Sequence, residues 1–171
     1  KMFAIEHSGV EPDIMTMAKS MADGMPISAI VGTDKVMDAS GPNSLGGTYT
    51  GSPTACAAAL ASIEQIANPA MMEQVRGLSE VFENAIHDLR GLPLVEDIRN
   101  IGLAGAVQIE MDPAHPLKRA SVISARCWEK GVYVRFGGNN LSFAPPFISQ
   151  PQDIHEIFAR VAEAITEYAK A

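Results

Sequence analysis

The chain has 171 residues, 47% of them hydrophobic and 19% charged, a composition that suits one or two modest globular domains with a core. Its formal net charge is −7, which argues against a nucleic-acid or anionic-membrane binder, since both need basic patches. No apolar run reaches the about 18 residues that a membrane span needs, and no secretory signal is visible, so a cytoplasmic protein is the default.

The chain opens at Lys1 without an initiator methionine and enters at once into Met2-Phe3-Ala4, which reads as a cut within a longer protein. Residues 1–52 are loop-rich. Asp13–Lys19 contains a short strand-like run that stops at the lysine, Gly24 and Pro26 break the chain, and Ile27–Val31 reads as a second, buried strand. Gly41-Pro42 and Gly46-Gly47 mark a mobile loop. Ser52-Pro53 is a helix start, an N-cap hydroxyl followed by proline at the first helical position. The helix it opens, residues 54–67, is apolar on nearly every side and so predicts burial on all sides.

Asn68-Pro69 separates that helix from an amphipathic one carrying Met72, Val75, Leu78, Phe82, Ile86 and Leu89, with Gly91 as its stop. The domain boundary is expected between the two, giving residues 1–66 and 67–171. Strands are expected at Val95–Arg99 and Leu103–Glu110, divided by Gly102, then a helix at 118–130 closed by Gly131. Val132–Arg135 and Leu141–Phe143 read as strands around Gly137-Gly138-Asn139-Asn140. A last helix starts at Pro151-Gln152-Asp153, with Ile154, Phe158, Val161 and Ile165 on one face. The fold class is α/β.

Cys56 and Cys127 stand far apart, so neither a disulfide framework nor a zinc site is expected. His7, His87, His115 and His155 make no ligand spacing, and no metal is expected; His87 and His155 read as solvated on their helices. Lys19, at the carboxyl end of an apolar strand before a Gly/Pro loop, sits where open α/β sheets place ligand groups. Partial desolvation there would lower its pKa and free the amine for attack on a carbonyl; the alternative is a surface lysine at a strand end. Gly46–Pro53 combines glycines, hydroxyls and a helix N-terminus, a pattern that suits a phosphate as well as an ordinary cap. Arg135, on a short strand before Gly137-Gly138, could grip a carboxylate with both arms of its guanidinium or join a surface ion pair. Arg99 is a weaker case of the same kind.

Lys1-Met2-Phe3-Ala4-Ile5-Glu6-His7-Ser8-Gly9-Val10-Glu11-Pro12-Asp13-Ile14, running on to Ala18-Lys19-Ser20, resembles the segment around the cofactor lysine of class III aminotransferases, which use pyridoxal 5'-phosphate (PLP). Gly47–Pro53 is similar to that family's phosphate-contacting turn. Ile98–Leu103 and Leu141-Ser142-Phe143-Ala144-Pro145-Pro146 resemble its carboxy-terminal domain. The resemblance covers essentially the whole chain, in order. It implies a fold type I, aspartate-aminotransferase-like architecture, with residues 1–66 as the tail of the large PLP-binding domain and 67–171 as a small α/β domain. Lys19 would form the Schiff base with PLP and shuttle the proton. Thr48 would contact the phosphate of a neighbouring subunit's cofactor in a homodimer.

Many relatives carry an arginine just before the Phe-Ala-Pro-Pro run, where this chain has Ser142. Val134-Arg135-Phe136-Gly137-Gly138 resembles instead the ω-amino acid:pyruvate (β-alanine:pyruvate) branch, in which the arginine binds the substrate carboxylate. The implied reaction moves an amino group from an ω-amino acid or amine to pyruvate or another oxo acid. The family's aspartate for the pyridine nitrogen, its glycine/serine phosphate loop and its stacking aromatic would lie before Lys1, so the chain is expected to be an inactive fragment by itself. The alternatives are a 4-aminobutyrate aminotransferase or an aminomutase on the same fold or, for the isolated chain, a non-catalytic interaction domain.

Overall fold

The computed structural model describes residues 1–42, 44 and 46–171. The loop expected around Gly41-Pro42 and Gly46-Gly47 includes Asn43 and Leu45, which lie outside the described residues. The chain divides into two compact units, Lys1–Met72 and Glu73–Ala171. The division falls one turn inside a helix, not at residue 66, because the first side chain of that helix to reach the second unit's core is Val75.

The first unit holds a 3-10 turn at Ala4–His7, strand β1 (Ile14–Met17), a 3-10 turn at Lys19–Met21, strand β2 (Ala29–Gly32), helix α1 (Asp34–Met37) and helix α2 (Pro53–Ile66). β1 and β2 pair antiparallel, Ile14 opposite Gly32 and Met17 opposite Ala29. Pro53 opens α2, where its fixed φ and missing N–H cost nothing, and Cys56 N–H donates to Ser52 O at 2.9 Å. Two expectations fail here. Among the described residues of this unit only Ala22, Ala55 and Ala59 are buried, and α2 leaves Leu60 62% exposed. β2 is not buried either, since a two-stranded sheet has no neighbour to cover Ile30 and Val31.

The second unit is built on a four-stranded antiparallel sheet in the order β3-β4-β6-β5, with β3 at Val95–Ile101, β4 at Ala104–Ile109, β5 at Arg135–Gly137 and β6 at Asn140–Phe143. The expected strand at Val132–Arg135 begins only at Arg135, because residues 132–134 have no ladder partner. Ile98, Val107 and Leu141 lie opposite one another across three strands and are buried. They meet helix α3 (Pro69–His87), helix α4 (Lys118–Glu129) and helix α5 (Pro151–Ala169) in one core. Strand alternation then sends Arg99, Ala106 and Ser142 to the opposite face.

The core is dense around three aromatic rings. Phe158 meets Phe82 edge-on at 5.3 Å and Phe143 at 5.0 Å between ring centroids. Cys127 is buried in the same core cluster as a small hydrophobe, and burial pushes its thiol up to about 11. α3 ends at His87, four residues before Gly91, whose positive φ of 87° closes the turn that follows. His87 is half-buried, not solvated as expected: Arg90 Nη2 lies 2.9 Å from its Nδ1, and Asn100 Oδ1 lies 3.0 Å from its Nε2. The arginine can only donate, so Nδ1 accepts and Nε2 carries the proton given to Asn100.

Two measurements test this packing. A Cβ on Gly105 would come within 2.7 Å of Ile86 Cδ1 and 2.9 Å of the Phe82 ring. Gly105→Ala should therefore lower the unfolding free energy by about 1–3 kcal/mol; an unchanged urea midpoint would mean that helix and sheet are not so closely spaced. The first unit leaves Ile14, Ile30, Val31 and Leu60 exposed on a three-alanine core. The 171-residue chain is expected to self-associate at micromolar concentration by light scattering, and a monodisperse monomer would contradict that.

Candidate active-site residues

Lys19 begins the 3-10 turn that follows β1. Ala18 is extended, and Lys19 then takes a φ of 56° in the left-handed region. That region disfavours a side chain with a Cβ by roughly 1–2 kcal/mol, and such residues gather where function holds them. Asp23 and Gly24, with φ of 42° and 108°, turn the chain again before Pro26. The expected partial desolvation is absent: the Lys19 side chain is exposed, because no third strand flanks β1 and β2 among the described residues.

Thr48 stands in a chain of turns that leads into α2. Thr50 N–H donates to Gly47 O at 3.0 Å, Ser52 N–H donates to Tyr49 O at 3.3 Å, and Gly51 has a φ of 71°. Thr48 and its neighbours are exposed, just before the positive end of a 14-residue helix. α2 relates the two positions within the first unit. It starts after the Thr48 turn, and its side packs on the Lys19 turn.

In the second unit the register puts Arg135 directly opposite Ser142, which is opposite Ala106, which is opposite Arg99. One row on the open face of the sheet therefore has a guanidinium at each edge and small side chains between them. Arg99 is engaged, donating from Nη1 to Asp97 Oδ2 at 3.0 Å and from Nη2 to Asn140 Oδ1 at 2.7 Å. Arg135 is exposed and makes no ion pair among the described residues. The Asn139-Asn140 turn that joins β5 to β6 is held to β4, since Asn139 Nδ2 donates to Ile109 O at 3.0 Å and Ile109 N–H donates to Asn139 O at 2.8 Å.

Beyond Arg135 and Ser142 the ladder stops, and a cavity of about 460 Å³ opens between the two segments. Tyr133, Arg135 and Ser142 line its exposed part, and Phe82, Ile154 and Phe158 its buried part. The sequence reading missed Tyr133. Its signal is its place two residues before Arg135, which in an extended segment means the same side. Phe82, Ile154 and Phe158 gave only the helical period of core residues. Among the described residues no group of three His, Cys, Asp or Glu side chains could hold a metal, and no helix is long and apolar enough to cross a membrane.

The family described as Aminotransferase class-III matches residues 1–165. The beta-alanine–pyruvate aminotransferase of Pseudomonas aeruginosa is 36% identical over 174 residues, which cover 96% of this chain and 39% of that protein. A probable 4-aminobutyrate aminotransferase of Bacillus subtilis is 35% identical over 90% of this chain and 37% of its own length. A solved structure of a thermostable omega transaminase mutant from Pseudomonas jessenii superposes with a TM-score of 0.91 at 27% identity, covering 99% of this chain and 41% of that one. The chain thus spans about two fifths of the length of the relatives it matches, and its fold is a part of the transaminases' α/β fold type I.

If the left-handed turn is a cost the chain bears for the lysine, removing the Cβ relieves it. Lys19→Gly should hold or raise stability by up to about 1 kcal/mol, whereas a β-branched Lys19→Val should lower it. Denaturant melts of the two variants check this, and a clear loss in Lys19→Gly would contradict it.

Proposed function

The chain belongs to the class III aminotransferase family, and on that premise we propose that it is the carboxy-terminal part of a PLP-dependent enzyme that transfers an amino group from an ω-amino acid or amine to pyruvate or another oxo acid. The observation that carries this reading is the row ending at Arg135: an exposed guanidinium with no ion pair among the described residues, on a strand where it stands opposite the short Ser142 side chain. A carboxylate approaching that row meets a two-pronged donor with space beside it. The site of the second arginine familiar in other branches holds a hydroxyl, which offers one hydrogen bond and no charge.

The residues present fit two parts of the cofactor. Lys19 offers an accessible primary amine for the aldehyde. The Gly46–Ser52 turns offer backbone N–H groups and the Thr48 hydroxyl to a phosphate, ahead of a helix N-terminus. When bound, PLP supplies the aldehyde that holds the amino group and a ring that takes up electron density as the adjacent C–H bond breaks. Lys19 Nζ takes the proton from the substrate carbon that bears the nitrogen and can hand it back on the other side of the exchange. Thr48 orients the phosphate, in a neighbouring subunit of a homodimer whose interface covers Leu60 and Ile63 of α2. Arg135 fixes the substrate carboxylate. The partner for the pyridine nitrogen comes from sequence outside these 171 residues, the first unit, Lys1–Met72, completes a large PLP-binding domain, and the enzyme works in the cytoplasm.

Kinetics of the longer polypeptide test the reading. Removing a charged partner from a desolvated carboxylate costs roughly 2–5 kcal/mol, so Arg135→Ala should raise KM strongly for β-alanine-like donors and for pyruvate while sparing amines without a carboxylate. Because Arg135 and Ser142 face each other, exchanging them (R135S with S142R) should recover part of the loss that R135S alone causes. Equal losses in kcat/KM for donors with and without a carboxylate would show Arg135 to be structural.

A further inference from the structure

The turn that follows Lys19 holds a chemically reactive step. Asp23-Gly24 is the one Asp-Gly pair of the sequence, which has no Asn-Gly pair. Glycine is the residue whose amide nitrogen no side chain screens, and an aspartate before it places a carboxyl group within reach of that nitrogen. The fold leaves both groups open. Asp23 and Gly24 are exposed. Among the described residues the Asp23 carboxylate joins no ion pair, and the Gly24 N–H donates to no backbone carbonyl. A Cβ built on Gly24 would meet nothing within 4 Å, so a ring has room to form there. Asp23 has a φ of 42° and Gly24 a φ of 108°, a conformation that glycine adopts at no steric cost and that other residues resist. The turn needs its glycine, and the unscreened nitrogen comes with it.

We propose that Asp23-Gly24 is a self-modification site, at which Asp23 converts to isoaspartate through a succinimide and thereby loosens the Lys19 turn. Gly24 N attacks Asp23 Cγ; the nitrogen loses its proton, Cγ loses its hydroxyl group, and the two leave as water. Water then adds to one of the two ring carbonyls. Addition at Cγ breaks the new N–Cγ bond and restores aspartate. Addition at the main-chain carbonyl carbon breaks the original peptide bond, so that the chain runs through Cβ and Cγ and a carboxylate is left on Cα. Nothing is oxidised or reduced, and the composition of the protein is unchanged. The longer backbone acts on its neighbours. Ala22 N–H donates to Lys19 O at 3.2 Å, and Met25 N–H reaches across the pair to Ala22 O at 3.1 Å. Ala22 is buried, and the Lys19 turn packs on α2. An extra methylene in the backbone between Ala22 and Met25 breaks the Met25 bond and frees the Lys19 turn from that packing. The inference gives no part to the cofactor and holds whatever reaction Lys19 serves.

The test ages the folded longer polypeptide in heavy-oxygen water, digests it and maps it by mass spectrometry with electron-transfer fragmentation, which separates isoaspartate from aspartate. A free peptide of residues 18–27, aged alongside, is the unfolded reference. Isoaspartate carrying heavy oxygen should accumulate at position 23 within about tenfold of the peptide's rate, because an exposed turn opens at little free-energy cost. Asp34, Asp88 and Asp97, each followed by a residue with a side chain, should stay unchanged. Asp23→Asn, which loses ammonia instead of water, should convert faster. Asp23→Glu, which keeps the charge but would have to close a larger ring, should not convert. In the aged fraction the amides of Ala22 and Met25 should exchange hydrogen faster than in fresh protein. No isoaspartate at position 23, a rate below that range, or equal conversion at Asp34 would each overturn the proposal, and so would conversion that leaves exchange at Ala22 and Met25 unchanged.

Discussion

The second unit depends on burying one face of its four-stranded sheet under α3, α4 and α5. Ile98, Val107 and Leu141 must point at Phe82, Phe158 and their neighbours, and a slip of one residue would turn that whole row to water. The constraint fixes what the other face shows. With Leu141 inward, Ser142 is outward, and the ladder sets Arg135 beside it. The position of the guanidinium is thus a consequence of core packing, and Gly105, too close to Phe82 and Ile86 to carry a side chain, shows how little room the register has to move.

The first unit works under the opposite condition. Its buried residues are three alanines, its sheet has two strands, and its one long helix keeps Leu60 and much of its apolar surface exposed. A core that small cannot offset the ordering of some seventy residues, each costing of order 1 kcal/mol or more. The left-handed turn at Lys19 and the glycine-rich turns around Thr48 nevertheless have defined geometry here. In our reading they become rigid only when α2 and the strands are covered, by further sequence and by a second subunit, and the same cover would remove water from the Lys19 amine.

Much of this was legible in the sequence. The helical periods of α3 and α5 gave much of the core of the second unit, with Phe82, Ile154 and Phe158 as inward positions, because each helix must hide one stripe. The glycines at 91, 102 and 131 marked turns that do take positive φ. Other features were not legible. Burial of β2 and of every side of α2 was expected from apolar composition, but composition states only that a segment needs cover, not that the chain in hand provides it. The start of β5 was misplaced by three residues, because Val132-Tyr133-Val134 has strand propensity while pairing stops at Arg135. The opposition of Arg135 and Ser142 could not be read from residues seven apart until the hairpin register was known. The partly buried His87, held between Arg90 and Asn100, likewise depends on a strand 13 residues away.

The central claim is that Lys19 is the amine that takes the cofactor, and it is tested most directly by chemical trapping. The longer polypeptide would be incubated with PLP, reduced with borohydride, digested and mapped by mass spectrometry. The account predicts one stoichiometric pyridoxyl group on Lys19, absent from Lys19→Ala. A label on Lys35, a label spread thinly over the surface lysines, or an unmodified Lys19 in a protein that still transaminates would contradict it.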